Sequence, residues 1–263
     1  MDDCQQEARM GTNMANTIGA LGTSLEILEA LKERGSAGVT ELATDLDLPK
    51  STVYSHLRTL REHGYVVQHD ERYCIGLKFL SLGEHTRDRM PLYEVAKPEV
   101  KGLAEQTGEL ANLLVEEHGE GVYLFRSKGE QAVSLDTHAG MRVKLHCTSL
   151  GKAILAYLPE ERVDNIVERW GLPAQTATTI TSREALEEEL AAVRERGYAY
   201  DKGERLSGLR CIAAPIKNPD GHAIGAVSVS GPTSRMKGER FESEIPEQVM
   251  SAANVIELNL TYS

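Results

Sequence analysis

The sequence lacks most of the usual signatures of catalysis. Its four cysteines, Cys4, Cys74, Cys147 and Cys211, form no C-x-x-C pair, and no histidine cluster stands at zinc-ligand spacing. Free thiols in a reducing cytoplasm and no bound metal are the corresponding expectations. No apolar run is long enough to span a membrane, so no membrane partner is expected. Residues 1–20 are polar and acidic, then rich in Gly and Asn, with no signal-peptide core. They read as an N-terminal arm, with Met10 and Met14 as alternative starts. The Gly-Glu-Gly of 119–121 is a turn, because no Lys-Ser/Thr follows at phosphate-loop spacing. No cofactor is implied, and there is no internal repeat or low-complexity tract.

Large aromatics and positive charge are also scarce. The 263 residues include three Phe and one Trp, and 29 basic residues face 40 acidic ones, for a net charge of −11. Taken whole, that is the wrong sign for a nucleic-acid binder. A spread acidic surface with few aromatics suits a protein from a salty cytoplasm, whose solubility would fall as KCl is removed. The length suggests about two domains.

The charge is distributed unevenly. Over 50–63, Lys50, Arg58 and Arg61 stand against Glu62 alone, a local net of +2. This stretch closes Gly38–His63, which reads as two short helices joined by a tight turn. At about 100° per residue, Val53, Leu57 and Leu60 share one stripe of the second helix; Ser51, Ser55, Arg58 and Glu62 share the opposite one. Small hydroxylic side chains let a helix backbone approach a major groove, and an arginine reaches a guanine edge or a phosphate. A helical hairpin in an ordinary core would show the same stripes.

The residues on either side of this stretch favour DNA. Tyr65–His69 and Arg72–Leu77 are short β-prone runs around Asp70-Glu71, a hairpin pattern. Before the motif, Leu25, Leu28 and Leu31, with Ile27 beside them, make a third amphipathic helix behind Thr23 or Ser24 as cap, punctuated by Gly35 and Gly38. Three helices and a hairpin form a winged helix. His56 and His63 are read as structural or phosphate-near.

Downstream, Leu77–Asp88 is helical in pattern and Met90-Pro91 breaks it. Tyr93–Thr107 is a long amphipathic helix with Val95, Val100, Leu103 and Ala104 inward. Strand-like runs follow at Ala111–Val115, Gly121–Arg126 and Val133–Asp136, with a further short one at Val143–Cys147. Thr148–Leu158 and Glu160–Trp170 are helical. Thr181-Ser182-Arg183-Glu184 reads as a capping box with Thr181 as cap, opening Glu184–Arg196. Leu209–Ile216 and His222–Ser230 are apolar strands around an Asn218-Pro219-Asp220-Gly221 turn. A last helix covers Ile245–Leu260. Hairpins mixed with helices, without strict βαβ alternation, argue for an α+β domain on an antiparallel sheet.

The order of motifs is specific. LPKSTVYSHLRTLREHGYV, LHCTSLGKAILAYLP, TSREALEEELAAVRERGYAYD, GLRCIAAPI and AIGAVSVSGP together resemble the IclR family of transcriptional regulators, from about Ser24 to the C-terminus. The resemblance implies a winged helix-turn-helix over 21–77, a linker helix over 78–90 used in dimerisation, and a GAF-like effector-binding domain over 91–263. It implies a homo-oligomer, a dimer or dimer of dimers, that binds a double-stranded DNA operator under the control of a small organic acid. The chain departs from the family pattern at Ser55, where arginine is common, and at Gly203-Glu204, where an acidic pair is usual.

The expected DNA-facing residues are Lys50, Ser51, Thr52, Tyr54, Ser55, Arg58 and, in the wing, Arg72. Carried across position by position, the family's effector pocket falls on Ala132 and Leu135 on a strand, Ser149 and Leu150 at a helix start, Asp201, Cys211, Ser228 and Ser230. Period two puts both serines on one sheet face and Val227 and Val229 on the other; strand serines that merely face solvent would show the same alternation. The helix start at 148–151 offers unpartnered backbone N–H groups to an anion, with Gly151 leaving room for approach. Ala132, Leu135 and Leu150 supply apolar wall, Cys211 a small soft one, and Asp201 an acceptor for a donor at the ligand's far end. The expected ligand is a small organic acid carrying a donor; the alternative is a cavity that holds only water. A competing class is a thiol-dependent enzyme using His146, Cys147 and Asp201, but nothing in their spacing supports it, and no catalytic residue is assigned.

Overall fold

The computed structural model describes residues 18–135 and 137–262, which form two compact units dividing at His85/Thr86. Most of the expected arm, residues 1–17, and Cys4 with it, lies outside the described residues.

The first unit holds α1 (Gly19–Arg34), α2 (Val39–Asp45), α3 (Lys50–Glu62) and a hairpin of β1 (Val66–His69) and β2 (Arg72–Ile75). Its core is built from Ile27 and Leu31 of α1, Leu42 of α2, Val53 and Leu57 of α3, and Val66 and Tyr73 of the hairpin. Asp70 turns the hairpin at φ 51°, a left-handed position that Asp tolerates. A one-residue bridge joins Ala37 to Tyr73, tying the start of the helix pair to the wing. The start of α1 differs from expectation. The helix begins at Gly19 with no side-chain cap, so Thr23 and Ser24 are inside it. Ser24 Oγ bonds the Ala20 carbonyl and lies 2.8 Å from His56 Nδ1, which gives that histidine its structural role. Leu25 is exposed, because only the Ile27–Leu31 face meets α3 and the wing. The next helix, α4 (Lys78–Asp88), buries none of its residues; Leu77, Leu80 and Leu82 are all exposed.

The second unit is a six-stranded antiparallel sheet in the order β5-β4-β3-β8-β7-β6, covered by helices on both faces. The strands are β3 (Leu110–Glu117), β4 (Glu120–Lys128), β5 (Arg142–Val143), β6 (Ala199–Asp201), β7 (Leu209–Lys217) and β8 (Ala223–Pro232). One face packs on α5 (Pro91–Thr107) and α9 (Ile245–Thr261) through Leu113, Ile212, Val227 and Val229. The other packs on α6 (Ser149–Leu155), α7 (Glu160–Trp170) and α8 (Arg183–Arg196) through Leu114, Ala213 and Ala226. Burial on both sides explains why β7 and β8 read as nearly continuous apolar runs. No helix among the described residues is long and apolar enough to cross a membrane.

Several expected elements shift. The cap of α8 is Ser182 rather than Thr181: its Oγ accepts from Ala185 N, the helix begins at Arg183, and Leu186, Leu190 and Val193 are buried. The run expected at Val133–Asp136 is not a strand. Gly129 N bonds Glu109 O and Gln131 N bonds Gly108 O, both at 2.8 Å, which draws the chain off the edge of β4. Ala132 and Leu135 therefore lie on an irregular segment, and Asp136 is outside the described residues. The run expected at Val143–Cys147 shortens to Arg142–Val143, and β6, three residues long, was not anticipated.

Candidate functional sites

The outer stripe of α3 is open to solvent. Lys50, Ser51, Tyr54, Ser55 and Arg58 are exposed and Thr52 is half-buried, while Val53 and Leu57 on the opposite side are fully buried. Ser55 Oγ folds back onto Ser51 O at 2.9 Å, so the centre of the stripe stays low. Arg58 makes an i,i+4 pair with Glu62 at 3.3 Å, both well exposed. An exposed pair of this kind is worth little and yields its arginine readily. Arg61 donates to Gln68 on the hairpin, linking α3 to the wing. Arg72 is more committed than the sequence suggested. Its guanidinium bonds Ser36 O at 2.7 Å and Ser36 Oγ at 3.1 Å, and pairs with Glu41 at 3.0 Å. Glu41 in turn accepts from Gly38 N at 2.7 Å at the start of α2, a bond that with Arg72 holds its carboxyl below the usual range. Arg72 thus braces the helix pair against the wing.

In the second unit the sheet face beneath α6 carries a narrow cavity of about 10 Å³. That is room for about one water. Seven of the eight expected pocket residues line it: Leu135, Ser149, Leu150, Asp201, Cys211, Ser228 and Ser230. Ala132 does not; its N–H closes a turn onto Gly129 O.

Register explains the grouping. Cys211 pairs with Asp201 on one side and Ser230 on the other, and Ser228 stands opposite Asn112. Asn112, on β3, is buried and sends its Nδ2 toward Ser228 Oγ at 3.3 Å and Ser230 Oγ at 3.4 Å. Both hydroxyl protons are thereby left to point elsewhere. Asn112 Oδ1 is buried with no partner, an uncommon state for a polar atom in a folded core. At the opposite wall, Asp201 Oδ1 accepts from Gly203 N at 3.0 Å and Glu204 N at 2.7 Å. Burial nonetheless pushes the Asp201 carboxyl up to about 6.

The start of α6 adds the third wall. Thr148 caps the helix through Gly151 N at 2.9 Å, leaving the N–H groups of Ser149 and Leu150 outside the helical ladder. Gly151 serves packing, not ligand approach: a Cβ there would lie 2.1 Å from Leu145 O. The sequence reading missed Asn112, Tyr123, Thr137 and Arg205, all of which line the cavity. Asn112 had a signal, a lone polar residue inside the apolar run Leu110–Val115. Arg205 had none, because its loop has no periodicity.

His146, Cys147 and Asp201 form no catalytic set. His146 Nε2 bonds Pro173 O at 3.1 Å, and Cys147 Sγ faces Lys144 O at 3.5 Å. Burial pushes the Cys147 thiol up to about 11, far from the thiolate a nucleophile needs. Among the described residues no group of three His, Cys, Asp or Glu could hold a metal ion.

Comparison with known proteins places both halves. Residues 84–258 match the model described as bacterial transcriptional regulator IclR C-terminal, and 20–70 match the IclR helix-turn-helix domain. The chain is 39% identical to the probable HTH-type transcriptional regulator ArcR of Halobacterium salinarum, over 92% of this chain and 94% of that one. It is similar in structure to the IclR of Thermotoga maritima, with TM-score 0.78 and 31% identity over 94% of this chain and 100% of that one. It is also similar to an IclR homologue from Microbacterium hydrocarbonoxydans complexed with 4-hydroxybenzoate, with TM-score 0.79 and 26% identity over 93% and 100% of the two chains.

Proposed function

The chain belongs to the IclR family of bacterial transcriptional regulators, and from that premise we propose that a small organic acid, bound in the cavity beneath α6, controls its grip on a DNA operator. The observation that carries this reading is the cavity's polar floor: the buried, unpartnered Asn112 Oδ1 beside two serine hydroxyls. A buried acceptor without a partner is costly unless a ligand or water meets it. The complex of the Microbacterium relative with 4-hydroxybenzoate supports an acid as the occupant.

In this reading the winged helix, residues 21–77, is the reader. Ser51, Tyr54, Ser55 and Arg58 face the major groove, with Thr52 at their edge. Lys50 meets a phosphate, and Arg72 supports the wing that lies beside it. Residues 91–263 are the effector-binding domain. One winged helix covers a half-site, so two copies on a roughly palindromic operator are expected. The exposed Leu77, Leu80 and Leu82 beside and on α4 supply apolar surface for the partner copy. The protein acts on cytoplasmic DNA and performs no catalysis; the strongly alkaline pH needed to ionise Cys147 argues against a thiol enzyme.

The test is a gel shift with the full chain on DNA upstream of its own coding sequence, with and without millimolar carboxylic acids, 4-hydroxybenzoate among them. The wild type should bind, and an acid should change the shift. A Ser228→Ala/Ser230→Ala variant should bind the same DNA without responding. Binding that no acid alters, or a variant that responds like wild type, would move control away from this cavity.

A further inference from the structure

Arg205 lines the cavity and is the sole Lys, Arg or His among the described residues that do so. Among the described residues its guanidinium lies 6.0 Å from the centre of the Tyr123 ring and makes two hydrogen bonds, Nη1 to Tyr123 Oη at 3.4 Å and Nη2 to Met141 Sδ at 3.9 Å, both at the outer limit for such a bond. Arg162, Arg183, Arg196, Arg235 and Arg240 each reach a carboxylate. Arg126 and Arg210, half-buried like Arg205, also pair with no carboxylate, but each is held by firm hydrogen bonds, Arg126 to Thr137 Oγ1 at 2.9 Å and Arg210 to Met236 O at 3.0 Å; among the described residues Arg205 has neither a carboxylate nor a bond that short.

The local construction keeps it so. Arg205 has two acidic neighbours in sequence, and both are spent elsewhere. Asp201 Oδ1 takes the N–H groups of Gly203 and Glu204. Glu204 is turned to Lys152, with its two oxygens 2.6 and 2.8 Å from Nζ. The loop is further pinned by Thr176, Thr178 and Thr179, whose hydroxyls donate to Gly203 O and Glu204 O. So a well-anchored loop carries an uncompensated cation across the cavity, from the β6 side to Tyr123 on β4. Its charge is felt at Tyr123 and Cys211, where it opposes the upward push of burial on both groups.

We propose that Arg205 is the residue that selects an anion as the occupant of this cavity. The inference rests on the effector reading above and names the group that gives it charge specificity. A planar guanidinium with free donors matches a carboxylate bidentately. The buried carboxylate of Asp201 on the same walls would by itself repel an acid, so an anion needs a compensating charge there. In so closed a space that charge acts through a low dielectric, where it counts for more than at the surface.

The experiment is calorimetric titration of the full chain with matched acid and amide probes, 4-hydroxybenzoate with 4-hydroxybenzamide and benzoate with benzamide. It compares wild type, R205M, R205K and S228A/S230A; circular dichroism and unliganded melting temperature establish that each variant is folded. The wild type should bind an acid at least tenfold more tightly than its amide. R205M should lose about 10- to 100-fold in acid affinity, the range expected for a charged hydrogen bond, and keep its amide affinity, so the ratio falls toward one. R205K should lie between. If R205M keeps the acid preference while S228A/S230A loses binding, the cavity stands and the role of Arg205 is overturned. If both variants bind like wild type, or no probe binds the wild type, the effector reading falls and this inference with it. Should R205M not fold, an unchanged acid-to-amide ratio in R205K is the overturning result.

Discussion

The ammonium of Lys152 stands 2.6 and 2.8 Å from the two carboxylate oxygens of Glu204, and both side chains are buried. This pair ties α6, which forms one wall of the cavity, to the loop that carries Asp201 and Arg205 along another. Buried pairs contribute modest net stability, but removing one partner strands the other's charge. Lys152→Met should therefore destabilise the second unit by about 3–5 kcal/mol. Lys152→Met/Glu204→Leu should recover much of that loss, since no charge is left stranded. Urea denaturation of the two single variants and the double measures the coupling. A double variant as unstable as the sum of the singles would mean that the two side chains act independently.

Asp201 predicts how stability varies with pH. Burial, with a smaller contribution from the Glu204 charge, lifts its carboxyl from 3.8 to about 6, against the pull of two backbone N–H bonds and Lys152. Between those values the folded chain holds a proton that the unfolded chain has released. The folded state is then the better proton binder, so stability falls as pH rises through the window. The loss is complete above pH 6 and amounts to roughly 3 kcal/mol. Asp201→Asn keeps an oxygen acceptor for Gly203 N and Glu204 N and removes the charge. It should match wild type below about pH 4 and exceed it in stability at pH 7.5, by urea denaturation at both. An equal difference at the two pH values would show that this carboxyl does not titrate as described.

The readable parts of this chain were those where one period governs. The stripe of α3 and the Ser228–Ser230 alternation each follow from a single repeat: Val53 and Leu57 are buried opposite exposed Ser55 and Arg58, and Ser228 and Ser230 face the cavity while Val227 and Val229 pack on the other side. The family motifs carried Asp201 and Cys211 to the same cavity. Legibility failed where competing local partners decide. Thr181 and Ser182 both qualify as a cap, and it is Ser182 whose hydroxyl accepts from Ala185 N. Val133–Leu135 has strand-like composition, but Gly129 and Gln131 are bound back to the corner between α5 and β3. Lys152 carries no sequence sign of its burial, because its partner Glu204 stands fifty-two positions away. Arg205 gave no signal because what marks it is the lack of a carboxylate partner among the described residues, and a sequence does not show which pairs form.

The recognition helix predicts two different losses of DNA affinity. Arg58 lies mid-stripe, and its exposed partner Glu62, 3.3 Å away, is easily given up. If Arg58 reads a base, Arg58→Ala costs about 1–3 kcal/mol on the operator and little on unrelated DNA. Lys50, exposed at the first turn of α3, would meet a phosphate. Lys50→Ala should then weaken binding to all sequences alike and reduce the salt slope by about one. The net charge of −11 sets the scale for both effects. An acidic body opposes DNA at long range, so affinity rests on few close contacts and the wild-type salt slope should be shallow. Fluorescence anisotropy on operator and random duplexes over a range of KCl concentrations separates the outcomes. Operator affinity unchanged in Arg58→Ala would show that another face of the winged helix meets the groove. A steep wild-type slope would show that many more phosphates are engaged than Lys50 and its neighbours supply.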